Sequence, residues 1–126
     1  MNHTLLIFGG IFHFGFAVFH LFFWRLFNWN RDLARLTFVN RAVMQILNLC
    51  LTFVFLIVGY ISIFYTSELL TTNLGKVVLA AISLFWFLRT IEQIIFFGLK
   101  EIRSNILTII FIVGFIIYLT PVLIGN

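Results

Sequence analysis

Residues 86–98 read Trp-Phe-Leu-Arg-Thr-Ile-Glu-Gln-Ile-Ile-Phe-Phe-Gly, and the interpretation of the whole chain depends on this stretch. It has the composition of a membrane-spanning helix, yet it contains Arg89, Glu92 and Gln93 within about one and a half helical turns. A charged side chain near the centre of a bilayer costs roughly 2.5–3.5 kcal/mol on scales derived from membrane insertion. The stretch therefore predicts polar partners or a water-filled cavity around this part of the helix.

The composition of the whole chain agrees with a membrane setting. Of its 126 residues, 63% are hydrophobic and 10% are charged, and the mean hydropathy is +1.16. Soluble domains are about 45–50% apolar and about 25% charged, so this chain lies outside their range. The basic residues stand at the ends of apolar runs, which explains the net charge of +4 without nucleic-acid binding. The composition predicts an integral membrane protein whose main partner is the lipid bilayer, with no nucleic acid.

Four apolar runs predict an all-α fold, an integral membrane four-helix transmembrane bundle. We expect residues 1–126 to form a single four-span membrane domain, with spans at about 5–27, 42–65, 76–99 and 106–124. Each run is close to, or longer than, the roughly 20 residues needed to cross a hydrocarbon core of about 30 Å. Cys50 is the only cysteine, so an intramolecular disulfide is excluded.

The distribution of basic residues predicts the orientation of these spans. Arginines are concentrated in the link after span one, and Lys100 and Arg103 lie in the turn after span three. The opposite side has Lys76 as its basic side chain. The positive-inside rule therefore predicts that both basic links are cytoplasmic and that the N- and C-termini are both outside. We expect a multi-pass protein of the plasma (inner) membrane.

With this topology, polar side chains of three spans lie at a similar depth in the bilayer. They are His13 and His20 in span one, Gln45 and Asn48 in span two, and Arg89, Glu92 and Gln93 in span three. Helical periodicity places His13 and His20 within about 20° of each other around the helix axis. The sequence thus predicts a polar site enclosed by spans one to three, with span four packing mainly against lipid or another subunit.

The leading hypothesis is that this site binds or translocates a small solute or ion. Transport linked to proton movement is included, because Glu92 and the histidines can exchange protons. A chain this short is expected to need a homo-oligomer to enclose a pathway. The alternative is a non-catalytic membrane assembly subunit. In that case Arg89 and Glu92 simply pair with each other, and Gln45 and Asn48 hydrogen-bond to neighbouring helices.

A further alternative is a haem- or metal-binding membrane protein that uses His13 or His20 as a ligand. These two histidines are separated by about 10.5 Å along a helix axis, and no other span supplies a histidine. No metal ligand set is assigned, and the cofactor is left open. Catalysis is less favoured: Glu92 would serve as a base and Arg89 as an anion clamp, but no nucleophile stands at a recognisable spacing from a partner.

Overall fold

The computed structural model describes residues 1–124, and within them the fold is all-α, as the sequence predicts. A 3₁₀ turn follows the third helix, at Leu33–Arg35. The helices are α1 (Asn2–Leu21), α2 (Phe23–Leu26), α3 (Trp29–Asp32), α4 (Phe38–Phe64), α5 (Thr66–Thr71), α6 (Asn73–Phe96) and α7 (Ile102–Leu123).

Helices α1, α4, α6 and α7 are long and apolar enough to cross a membrane, which confirms the prediction of four candidate spans. They contain 20, 27, 24 and 22 residues, so each is about 30 Å long or more. The predicted boundaries differ most in span one. Helix α1 begins at Asn2 and ends at Leu21, and the chain continues as the separate helix α2 instead of one helix to residue 27.

Large apolar side chains cover much of the surface of these helices. Phe38 is 76% exposed, Phe53 63% and Phe96 81%. Contiguous apolar surface of this kind is unfavourable in water, whereas the acyl chains of a bilayer can cover it. The exposed side chains and the four long helices together describe a multi-pass membrane protein.

The chain divides into two compact units. The α1–α4 unit is Gly10–Ile61, and the α6–α7 unit combines Met1–Gly9 with the chain from Ser62 onward. The prediction of a single domain stays a prediction, and the two units are described separately below.

Two local signals define the ends of α6 in the α6–α7 unit. Thr72 is the N-cap, and its Oγ1 accepts a hydrogen bond from the Gly75 N–H at 2.9 Å. After the helix, Gly98 has a φ of +73°, a left-handed conformation that glycine adopts without steric cost. The Gly98 N–H donates to the Ile94 carbonyl at 3.1 Å, which closes the last turn. The chain then turns back into α7.

Helix α7 contacts α6 through one face, on which buried residues recur at helical spacing. These residues are Ser104, Thr108, Phe111, Gly114, Tyr118 and Pro121. The expectation that span four packs mainly against lipid or another subunit is therefore incomplete, because one face of α7 contributes to the interior of its own unit.

Aromatic packing and a close helix approach hold the α1–α4 unit together. The rings of Phe16 and Phe55 are 5.9 Å apart, and both side chains are buried. A Cβ at Gly59 would lie 3.0 Å from the Gly10 carbonyl oxygen, so glycine at this position lets α4 approach α1 closely. In the link that follows, Trp29 is 6% exposed and packs edge-on against Trp24 at 5.0 Å.

Candidate functional site

A reciprocal hydrogen-bonded pair joins His20 of α1 to Asn48 of α4. The Asn48 Nδ2 donates to the His20 carbonyl at 3.0 Å, which leaves Oδ1 of the same amide 2.7 Å from His20 Nδ1. Since Oδ1 can only accept, Nδ1 carries the hydrogen and donates it, and the acceptor nitrogen of the neutral imidazole is Nε2. The His20 ring also stacks on Phe23 at 4.3 Å. The histidine is thus held in one orientation and one tautomer.

The other predicted amide of α4 makes a similar contact to the segment after α1. Gln45 Oε1 accepts a hydrogen bond from Trp24 Nε1 at 3.1 Å, and its Nε2 donates to the Arg41 carbonyl at 3.2 Å. Thr52 Oγ1 donates to the Asn48 carbonyl at 2.8 Å. Gln45 and Asn48 therefore both bond side chains of the α1–α2 segment, as expected of polar residues between membrane helices.

His13 lies deeper in the apolar part of the same unit and is 1% exposed. Its ring centroid is 5.8 Å from that of Phe55, and the His20 centroid is 5.3 Å from the same ring. Both predicted histidines therefore contact one aromatic side chain of α4, in keeping with their predicted common face on α1.

In the α6–α7 unit, Gln93 is the centre of a second polar cluster. Arg89 Nη2 donates to Gln93 Oε1 at 3.0 Å, and Gln93 Nε2 donates to Ser104 Oγ at 2.9 Å. Ser104 Oγ in turn donates to the Gly98 carbonyl at 2.6 Å. Gln93 is 1% exposed, and both ends of its amide are used. The cluster links α6 to α7 through hydrogen bonds that run from a cation to a backbone carbonyl.

An aromatic pair completes the surroundings of Arg89. The guanidinium carbon of Arg89 lies 4.6 Å from the ring centroid of Phe111, within the range of a cation–π interaction. Phe111 stacks on Trp86 with 5.6 Å between centroids, and both rings are almost fully buried. Neither Ser104 nor Phe111 was predicted as a site residue from the sequence. Their separation of seven residues, which places them on one face of α7, is the signal that could have found them.

Glu92 has a different environment from its two polar neighbours. Its side chain is exposed, and the adjoining surface of α6 carries Ile91 and Ile95, also exposed. Among residues 1–124, the ion pairs are Arg31–Asp32 and Arg103–Glu101, and neither includes Glu92. The hydrogen-bond partner of Arg89 in the described chain is thus Gln93, and the expected direct ion pair between Arg89 and Glu92 is not formed, whereas the assembly-subunit alternative stays a prediction.

The predicted site residues thus fall into two groups. His13, His20, Gln45 and Asn48 belong to the α1–α4 unit, and Arg89, Glu92 and Gln93 belong to the α6–α7 unit. That all seven line one site stays a prediction. In the part of the chain that the structure describes, no three His, Cys, Asp or Glu side chains are grouped as metal ligands.

Comparison with known proteins supplies no relative from which a function could be transferred. No family model, no curated protein and no solved structure matches the chain. Function is therefore inferred from the chemistry of these side chains and from their positions in the long helices.

Proposed function

We propose that this multi-pass protein resides in the plasma (inner) membrane and binds or translocates a small solute or ion, with proton exchange at side chains within the spans. The observation that carries the proposal is the exposure of Glu92 on α6, a helix of membrane-spanning length. A carboxylate facing hydrocarbon is costly, by roughly 2.5–3.5 kcal/mol, and such residues usually face a cavity or a partner.

The apolar surface of α6 continues past Glu92 toward the end of the helix. Phe96 is 81% exposed and lies about 6 Å further along the axis, at 1.5 Å per residue. Glu92 thus lies on an exposed apolar surface one turn before the end of α6. A ligand, a water-filled path or a second copy of the chain must cover it, which supports the proposal of a homo-oligomer.

Arg89 and His20, each within its own unit, add groups that can bind an anion or exchange a proton. Arg89 is half-buried and held by Gln93, so it offers a fixed positive charge one turn from Glu92. The Asn48 amide accepts a hydrogen bond from His20 Nδ1 and donates one to the His20 carbonyl, so an imidazole is held in a fixed orientation within the spans. An imidazole and a carboxylate in membrane helices are the groups that proton-linked carriers use.

Proton flux into proteoliposomes tests this function. The purified protein is reconstituted into vesicles containing a trapped pH-sensitive dye, and a potassium diffusion potential drives protons inward. We expect flux above that of protein-free vesicles, and loss of that excess in Glu92→Gln and in His20→Phe. Glu101→Gln is the matched control, because Glu101 is an exposed carboxylate outside the long helices. Equal flux in Glu92→Gln and Glu101→Gln would contradict the proposal.

A non-catalytic assembly subunit is the second candidate, and the amide contacts favour it. Gln45, Asn48 and Gln93 each hydrogen-bond to a different helix within their own unit. Such bonds hold membrane helices together, at about 0.6–1.7 kcal/mol each. In this case Glu92→Gln leaves proton flux unchanged but alters the oligomeric state in mild detergent, which light scattering after gel filtration measures.

The orientation of His20 also keeps a haem or metal cofactor as a candidate. A ligating histidine usually donates its second ring N–H to an oxygen acceptor, and Asn48 Oδ1 occupies that position relative to His20 Nδ1. Visible spectra of the oxidised and reduced protein test this role. A Soret band that disappears in His13→Ala or His20→Ala would support it, whereas a featureless spectrum would remove haem.

A further inference from the structure

A pocket of about 360 Å³ opens in the link that follows α1. None of its five lining residues is acidic, and four of them carry hydrogen-bond donors of the guanidinium or amide type. The lining residues are Trp24, Arg25, Asn28, Asn30 and Arg31. All of them belong to the α1–α4 unit, and they come from α2, α3 and the turn between these helices.

Buried aromatic contacts fix one wall of this pocket. Trp24 donates its indole N–H to Gln45 and packs against Trp29, which is itself 6% exposed. The turn between α2 and α3 passes through Asn28, whose φ of 51° is a left-handed conformation that asparagine tolerates better than most residues. The basic side chains therefore project from a defined backbone.

Exposed apolar side chains are neighbours in sequence of the residues that line the pocket. On the segment between α1 and α3, Phe22 is 49% exposed, Leu26 55% and Phe27 43%. A helix of membrane-spanning length ends at Leu21, so the pocket lies where apolar surface gives way to a basic link. Tryptophan and basic side chains at this level are typical of the lipid headgroup region.

We propose that this pocket binds the phosphate of an anionic phospholipid headgroup, with the acyl chains lying along these exposed apolar side chains. Guanidinium groups bind phosphate through two parallel N–H donors, and amide N–H groups add further donors. The volume is within the range of about 300–1,000 Å³ that small-molecule sites occupy. This proposal does not depend on the proposed solute site.

Asp32 is the acidic group that competes with a phosphate for this pocket. Its Oδ1 is 3.3 Å from Arg31 Nε, in a pair whose side chains are 70% and 50% exposed. Exposed ion pairs are weak, because solvent and salt screen them. A phosphate that accepts two hydrogen bonds from Arg31 can therefore replace Asp32 as its partner, and no buried contact is broken.

Lipid titration followed by native mass spectrometry tests the proposal, with the full chain purified in mild detergent. We expect phosphatidylglycerol to bind more tightly than phosphatidylcholine. The double variant Arg25→Gln/Arg31→Gln should weaken phosphatidylglycerol binding by about fivefold for each arginine lost. The matched control Arg35→Gln/Arg103→Gln removes the same charge outside the pocket and should leave binding unchanged. All four arginines are exposed, so these substitutions spare the core.

Competition distinguishes a lipid headgroup from a free phosphate. We expect inorganic phosphate and glycerol 3-phosphate to compete weakly, because neither contacts the exposed apolar side chains. A charge-conserving variant, Arg25→Lys/Arg31→Lys, should keep part of the preference for phosphatidylglycerol. Equal losses in the pocket and control variants, equal affinity for the two lipids, or glycerol 3-phosphate binding as tight as the lipid would each overturn the proposal.

Discussion

Replacing Gln93 with methionine tests whether its amide, instead of Glu92, is the partner that stabilises Arg89. Methionine is unbranched and has nearly the same length, so the change removes hydrogen bonds with little loss of packing. Two hydrogen bonds are lost, one from Arg89 at 3.0 Å and one to Ser104 at 2.9 Å. Ser104 keeps its bond to the Gly98 carbonyl.

The expected magnitude follows from these contacts. The helix–helix bond to Ser104 is worth about 1 kcal/mol, and the charge-assisted bond from Arg89 about 2 kcal/mol. Gln93→Met should therefore lower the free energy of unfolding by about 3 kcal/mol. Arg89→Met loses the same charge-assisted hydrogen bond and a cation–π contact, but it also removes a charge from the membrane. These effects roughly cancel, so Arg89→Met alone should leave the free energy of unfolding nearly unchanged. The double variant should lower the free energy of unfolding by about 1 kcal/mol, because the bond from Gln93 to Ser104 is then the only uncompensated loss.

The assay is equilibrium unfolding in mixed micelles with increasing sodium dodecyl sulfate, applied to the wild type, both single variants and the double variant. We expect a coupling free energy of about 2 kcal/mol between Arg89 and Gln93. A comparison cycle between Arg89 and Glu92 should give a smaller coupling, because no hydrogen bond or ion pair joins these side chains. Additive losses in the first cycle, or a larger coupling in the second, would refute it.

Three other predictions concern two glycines, the His20–Asn48 pair and the orientation of the chain. Gly75→Ala should destabilise the protein by about 1–3 kcal/mol, because a Cβ at this position would lie 2.5 Å from backbone atoms of Leu69. A Cβ at Gly15 would meet nothing within 4 Å. Gly15→Ala should therefore stabilise the protein by about 0.5–1 kcal/mol in the same titration. Asn48→Leu should lower the free energy of unfolding by about 1–3 kcal/mol, because the hydrogen bonds between Asn48 and His20 are lost. His20 should then no longer be held in its Nδ1–H tautomer, which the nitrogen chemical shifts of labelled histidine report. Unchanged shifts would count against the hydrogen-bonded pair. Reporter fusions should place both termini outside the cell, and a cytoplasmic C-terminal reporter would overturn the predicted orientation.

The four long helices could be predicted because each one depends on composition alone. A helix that crosses a bilayer requires about 20 consecutive apolar residues, and in a chain with few charges such runs are easily recognised. The break at Phe22 has no comparable signal in the sequence. It coincides with the burial of Trp29 against Phe23 and Trp24, contacts that form only after the link has folded back.

The partner of Arg89 shows why the site was harder to predict than the fold. Glu92 stands three residues away and Gln93 four, and both spacings bring side chains together on a helix. Whether Arg89 bonds Gln93 or Glu92 depends on Ser104, which accepts a hydrogen bond from Gln93 Nε2 and so orients the amide oxygen toward Arg89. Ser104 reaches that amide because the chain reverses at Gly98, a tertiary arrangement that spacing within α6 does not encode.

The contact between Asn2 and Ile124 has a consequence for engineering the chain. Asn2 Nδ2 donates to the Ile124 carbonyl at 2.7 Å, so the first turn of α1 and the end of α7 are hydrogen-bonded neighbours. A short peptide could join these two ends, and new termini could be opened in the exposed link at Lys100. Such a circular permutant would keep every long helix intact while moving both chain ends to the link between α6 and α7.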